Sequence, residues 1–279
     1  MSIEIFTLIL FAGAVLAGLL GSLTGLGGGV VIIPLLTLGF GFDMRYAVGT
    51  ALVTSIATSS GAATAFLRER ITNIRIGMFL EIATTLGAVL GALIAMYLPT
   101  HIIAIIYGFV LVFSAAMTLR KKQDDRDFAA VGDPLAVRLN LNSSYPAKTG
   151  EVAYNVHHVA GGFSLMGLAG ILSGLLGIGS GALKVLSMDV MMKIPFKVST
   201  TTSNFMVGVT ACASAVIYFQ RGYIDPGLAM PIVPGVLLGA FVGSKLLVKA
   251  NVKILRIVFS ILISLLAVQM IYNGLTGRV

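Results

Sequence analysis

Gly25-Leu26-Gly27-Gly28-Gly29 interrupts an apolar run that otherwise extends from Ile3 to about Phe42. Glycine in a helix interior costs about 1 kcal/mol relative to alanine. Four glycines in five positions therefore break the helix that the flanking residues would form. The interruption recurs 152 residues later as Gly177-Ile178-Gly179-Ser180-Gly181. With that offset and no gap, Gly18 falls on Gly170, Arg45 on Lys197, Thr50 on Thr202, Met78 on Met230, and Gly87 and Gly91 on Gly239 and Gly243. Register kept over about seventy residues marks an internal repeat, 18–99 against 170–251.

Composition sets the class. Hydrophobic residues make up 57% of the chain and charged residues 11%, with mean hydropathy +0.99; a soluble domain has about 45–50% apolar and 25% charged residues. The sequence is that of an all-α integral membrane protein, with the lipid bilayer as its first partner. A net charge of +8 would suggest nucleic acid in a soluble chain; here it reflects Lys and Arg gathered on one membrane face, and no nucleic-acid partner is expected. The one cysteine, Cys212, allows no internal disulfide and reads as apolar packing. No basic segment or small-residue cleavage site precedes the first helix, so no removable signal peptide is expected. His101, His157 and His158 sit at segment ends without a carboxylate or cysteine cluster, which argues against a metal, a cofactor or an enzyme.

In order, the apolar segments are Ile3 to Ser22, Val30 to Phe42, Tyr46 to Leu67, Ile76 to Leu98 and Ile102 to Leu119. Twenty apolar residues span a hydrocarbon core of about 30 Å. Residues 120–151 are polar and form an aqueous connection. The second half repeats the order: Val152 to Leu176, Ala182 to Met192, Val198 to Phe219, Gly227 to Val248 and Ile254 to Asn273. This divides the chain into a first repeat, 1–119, a cytoplasmic loop, 120–151, and a second repeat, 152–279.

Whether each glycine-broken stretch crosses once or turns back decides the topology. If it crosses, the repeats are parallel and the basic residues divide eleven to seven, with Lys184 inside. If it turns back, the second copy is inverted. Fifteen basic residues then share one face, including Arg68, Arg70, Arg75 and the six of the central loop, against Arg45, Arg221 and Arg278 on the other. The sharper sorting predicts an inverted repeat of two five-segment halves, the broken hairpins meeting near the midplane, the loop cytoplasmic and both termini outside.

Inverted halves with broken helices in corresponding places point to a secondary transporter whose site lies between them. Helix starts after Gly27, Gly28 and Gly29, and after Gly179, Ser180 and Gly181, offer backbone N–H donors and partial positive charge, a setting for a small anion. Glycines at four-residue spacing, Gly87/Gly91 and Gly239/Gly243, suit close helix packing instead. Thr50, Thr54 and Thr58 share one helical face, with Ser55 and Ser59 beside them. The equivalent helix opens with Ser199, Thr200, Thr201, Thr202, Ser203 and Asn204. Each hydroxyl either donates to the anion or bonds back one turn. Lys184 stands where the first copy has Ile32; it attracts the anion, pairs with Asp189 or snorkels to an interface. Glu81 is expected to reach back to Arg75 rather than relay protons.

Gly25-Leu26-Gly27-Gly28-Gly29, the following Pro34 and Ala47-Val48-Gly49-Thr50 at the head of the next helix resemble the TauE/SafE sulfite-exporter family of bacterial membrane proteins. The resemblance covers both repeats. It implies an inner-membrane transporter for sulfite, sulfoacetate or another organosulfonate, usually an exporter. The second copy departs from the pattern at Ser180, Lys184 and the Ser/Thr/Asn cluster. An anion channel and a coupled importer remain open, as does the oligomeric state, a homodimer included.

Overall fold

A computed structural model describes residues 3–24, 27–68, 71–119, 132–147, 150–249 and 252–277. Its first half contains α1 (Ile3–Thr24), α2 (Gly29–Pro34) running into a π-helical turn (Leu35–Gly39), α3 (Met44–Arg68), α4 (Ile74–Tyr97) and α5 (Thr100–Leu119). Its second half contains α7 (Val159–Leu176), α8 (Gly181–Leu186) with a second π-helical turn (Ser187–Met191), α9 (Phe196–Gln220), α10 (Pro226–Lys249) and α11 (Val252–Leu275). Every element from α2 to α4 returns with both ends shifted by the 152 residues of the repeat. Five of these helices are long and apolar enough to cross a membrane. Their outer faces carry large apolar side chains such as Leu8, Leu16, Leu90, Leu168, Phe219 and Leu238, each more than half exposed. Such a surface belongs in lipid, and the molecule is a multi-pass α-helical membrane protein.

The chain turns at each glycine break and retraces its path. Gly21 lies against Gly27 and Gly28, and Gly13 against Leu35. The Phe6 ring meets that of Phe40 with centroids 5.1 Å apart. In the second half the Ser187 hydroxyl donates to Gly162 O at 2.9 Å, and His157 N donates to Met192 O at 3.1 Å. Both breaks are thus the tips of antiparallel hairpins.

Packing between the halves is reciprocal. α1 packs along α10 and α4 along α7, each pair running in the same direction: Gly18 meets Val236 and Gly243 meets Leu19, while Gly170 meets Thr84 and Gly174 meets Ala88. At Gly87, Gly91, Gly239 and Gly243 an added Cβ would overlap the backbone of the facing helix, so these glycines serve the close approach their spacing suggests. α3 crosses its own repeat counterpart α9, and α5 crosses α11. Both pairs run antiparallel: the Tyr46 ring meets that of Tyr223, just past α9, edge to face while Ser59 donates to Asn204 O, and Gly274 lies against His101 while Gly108 lies against Ala267.

The connection departs from expectation in its second part. Residues 120–131 lie outside the described residues. Beyond them stand a short helix, α6 (Pro134–Arg138), and an antiparallel hairpin of β1 (Ser143–Ala147) and β2 (Gly150–Tyr154). The sixth apolar segment therefore begins as a helix at Val159 and not at Val152. Tyr154 is buried and packs on Tyr145, ring centroids 6.3 Å apart, which favours alternating strand over helix. His158 then adopts a left-handed conformation, φ 45°, that stops α7 extending backwards. Asp133 ties the connection to the bundle, accepting from Leu135 N at 2.9 Å and Val159 N at 3.0 Å. Those two bonds hold its carboxyl below the usual range.

Cys212 is exposed on α9 rather than packed. It shares an outward stripe with Val209, Val216 and Phe219.

Candidate functional site

The two glycine breaks touch each other. A Cβ at Gly29 would lie 2.9 Å from Gly177 O, and one at Gly27 would lie 3.6 Å from Ile178 O. The contact falls beside Ala51, Ser55 and Thr58, the middle of the 25-residue α3. Between the breaks stand Ser55 and its repeat equivalent Val207, which lies against both Gly27 and Gly179. Gly177 and Gly179 hold φ of 69° and 67°, with Ser180 at 47° between them and α8. Only glycine takes such angles without strain.

The polar residues expected around this crossing divide into three groups. Some are committed to the protein. Thr54 donates to Thr50 O and Thr58 to Thr54 O, each at 2.8 Å, the back-bonding open to any helical threonine. Thr58 Oγ1 also accepts from Gly28 N at 3.2 Å, so that donor of the first break is occupied. Thr202 Oγ1 accepts from Asn73 N at 3.1 Å and fixes the α3–α4 turn. Ser203 donates to Gly181 O at 3.3 Å, tying α8 to α9. Thr50 stands apart: its hydroxyl is buried without a hydrogen bond, but five residues, about 7.5 Å of rise, separate it from Ser55. The third group is Ser55 Oγ, Ser180 Oγ and Asn204 Nδ2, all buried and none with a hydrogen-bond partner. Buried polar groups normally have partners; Ser173 Oγ on α7 and Thr200 Oγ1 on α9 also lack one, so five unpartnered donors on the elements around the crossing are open to a ligand.

Lys184 is fully buried and does not snorkel. Its Nζ donates to Thr210 Oγ1 at 2.5 Å. The same hydroxyl is 2.6 Å from Glu81 Oε1, to which Thr85 Oγ1 also donates at 3.2 Å. Glu81 does not reach back to Arg75, whose guanidinium donates to Asn140 O on the connection at 3.4 Å. The expected Arg75 contact fails because Arg75 is exposed at the helix start while Glu81 is buried, facing the second half. Thr210 escaped the sequence reading although the offset pairs it with Thr58: equivalent threonines hold the Gly28 N–H in one half and Lys184 in the other. Among the described residues no cluster of three His, Cys, Asp or Glu could hold a metal ion.

Crossed hairpins, apolar flanks and buried donors define a multi-pass membrane transporter. Residues 10–270 match the family model of Sulfite exporter TauE/SafE, and the chain belongs to that family. Similar proteins include the probable membrane transporter protein YunE of Bacillus subtilis, 26% identical over 275 residues covering 96% of this chain and 98% of that protein. YdhB of the same organism, also described as a probable membrane transporter protein, is 25% identical over 82% of this chain and 86% of its own length. YfcA of Escherichia coli, with the same description, is 22% identical over 95% and 90%. No solved structure matches the chain.

Proposed function

We propose that the protein is a secondary transporter that moves a small sulfur-containing anion, such as sulfite, sulfoacetate or another organosulfonate, out of the cell by alternating access. In this reading residues 1–119 and 152–279 are inverted halves in the bacterial inner membrane, with the connection cytoplasmic and both termini outside. The antiparallel crossing of α3 with α9 and of α5 with α11, the retraced hairpins and the fifteen-to-three sorting of basic residues support that orientation. The site is the crossing of the breaks, with Gly27, Gly28, Gly29, Gly179, Ser180 and Gly181 supplying backbone, Ser55, Ser180 and Asn204 supplying side-chain donors, and Lys184 supplying charge from one side. Thr50, Thr54, Thr202 and Ser203 support the helices that frame it.

The observation that carries this reading is that two broken helices meet at mid-length of α3 with Ser55, Ser180 and Asn204 among the buried donors left unpartnered. Broken backbone at such depth is tolerated where it lines a ligand path. The test is a thermal-shift series on purified protein with sulfite, sulfoacetate, taurine, thiosulfate and sulfate. A ligand at one hundred times its Kd stabilises by about 2.7 kcal/mol. At least one sulfur anion should raise the melting temperature in wild type and fail to do so in Ser180→Ala/Asn204→Ala. No shift with any of the five, or equal shifts in the variant, would remove the proposal.

A further inference from the structure

We infer that Glu81 is a proton-accepting counter-ion to Lys184 that a substrate anion replaces, so that a monoanion and a proton cross together. The inference rests on the carrier reading above and concerns its coupling; export then runs down the anion's own outward gradient.

Lys184 and Glu81 come from opposite halves and share one hydroxyl. Thr210 Oγ1 accepts from the ammonium at 2.5 Å and directs its one proton between Glu81 Oε1 at 2.6 Å and Met206 O at 2.9 Å, the carboxylate being the nearer acceptor. Glu81 Oε2 is buried without a hydrogen bond, and that bare lone pair is where a proton binds. A buried charge is costly unless paired. Protonating Glu81 leaves Lys184 as an uncompensated buried cation, which an arriving anion neutralises; an anion arriving without the proton would face the carboxylate. Proton and anion therefore favour each other. The bookkeeping balances: the empty carrier holds one ammonium and one carboxylate, the loaded carrier one ammonium, one carboxylic acid and one monoanion. Neither form carries net charge at the pair, and the proton is taken from and returned to the aqueous side facing the site.

Other ionisable groups on the elements around the pair are few. α7 carries none. On α9, Lys197 is exposed and thirteen residues from Thr210, about 20 Å of rise, and Tyr218 donates to Leu175 O at 3.3 Å. On α5, His101 is exposed and Tyr107 donates to Val30 O at 2.9 Å. Arg75, on α4 itself, is exposed. Asp189, buried on the π-helical turn after α8, is the remaining candidate for the same role.

Methanesulfonate is a suitable probe because it stays a monoanion throughout the working pH range and carries no proton itself. Wild-type protein in liposomes should catalyse labelled methanesulfonate counterflow, acidify a pyranine-loaded lumen when methanesulfonate is added outside, and accumulate it about tenfold per pH unit by which the outside is more acidic than the lumen. A potassium–valinomycin potential without a pH gradient should drive no accumulation. Glu81→Gln fixes the neutral state: exchange should continue while accumulation and acidification are lost, and Asp189→Asn should remain coupled. Wild-type counterflow without lumen acidification, accumulation driven by potential, full coupling in Glu81→Gln or its loss in Asp189→Asn would each overturn the inference and leave the carrier intact. Absence of wild-type counterflow with methanesulfonate, sulfite, sulfoacetate and thiosulfate alike would overturn both.

Discussion

Gly29→Ala tests the contact on which the site depends. The added carbon would lie 2.9 Å from Gly177 O, 3.1 Å from Ser55 Oγ and 3.2 Å from Ala51 Cβ, where ordinary contacts begin near 3.4 Å. The Gly177 carbonyl has little room to withdraw. Its residue is held at φ 69° and lies against Val48, and its N–H is bonded to Ser173 O at 2.8 Å. Overpacking of this kind costs about 1–3 kcal/mol, which at about 2–4 °C per kcal/mol for a chain of 150–250 residues corresponds to a melting point lower by roughly 2–12 °C. Gly39→Ala is the control, since its nearest neighbour, Leu35 Cδ1, is 3.8 Å away; it should melt with wild type. Fluorescence-detected size-exclusion after a temperature series reads both, and anion counterflow should fall in Gly29→Ala alone. If the two variants melt and transport alike, the breaks do not touch as described and the site built on them fails.

Cys212, the only cysteine, is exposed on the protein within an apolar stripe. It should therefore resist a charged methanethiosulfonate reagent in sealed or permeabilised liposomes, yet react with a membrane-soluble maleimide; rapid labelling by the charged reagent would place that face of α9 in water. Asp133 has a carboxyl lowered by the Leu135 and Val159 backbone donors. A group with a depressed folded pKa contributes stability above its unfolded value, about 3.9, and loses it as pH falls through the folded one. Amide protection factors at Leu135 and Val159, corrected for the intrinsic pH dependence of exchange, should be steady between pH 7 and 5, fall below about pH 4, and be low at every pH in Asp133→Ala. Protection unchanged at pH 3 would refute the link.

The hairpins were legible because glycine acts through the backbone, and four glycines in five positions break a helix whatever surrounds them. The close-packing glycines were legible for the same reason: spacing alone puts Gly87 and Gly91 on one face. Partners across the fold were not. Glu81 offers no sequence signal that its acceptor is satisfied by a hydroxyl 129 residues away, and a buried acid near a helix start resembles one reaching for the nearest arginine. Nor did the composition of the connection distinguish an aqueous loop from the β1–β2 hairpin, since both are polar and contain proline. The exposure of Cys212 was hidden by the membrane itself: in lipid an apolar neighbourhood describes the outside of a helix as well as its inside.

The two halves match in backbone and differ in charge, and one buried difference joins the halves: the Lys184–Thr210–Glu81 contact. In the first half the equivalents of Lys184 and Thr210 are Ile32, fully buried, and Thr58, whose hydroxyl closes the Gly28 break. The offset pairs Glu81 with Val233, on α10, which packs against α3. Those three equivalents carry no ionisable group, while their counterparts hold a cation and a carboxylate joined through one hydroxyl. A ligand shifts a two-state equilibrium only through differential interaction with the two states. If the halves rock against each other, an anion and a proton can bias that motion at the Lys184–Thr210–Glu81 interface and not at Ile32–Thr58–Val233. Under the proposed rocking, the chain would keep a near-symmetric frame for two equivalent conformations and concentrate the chemistry that selects between them in one arm.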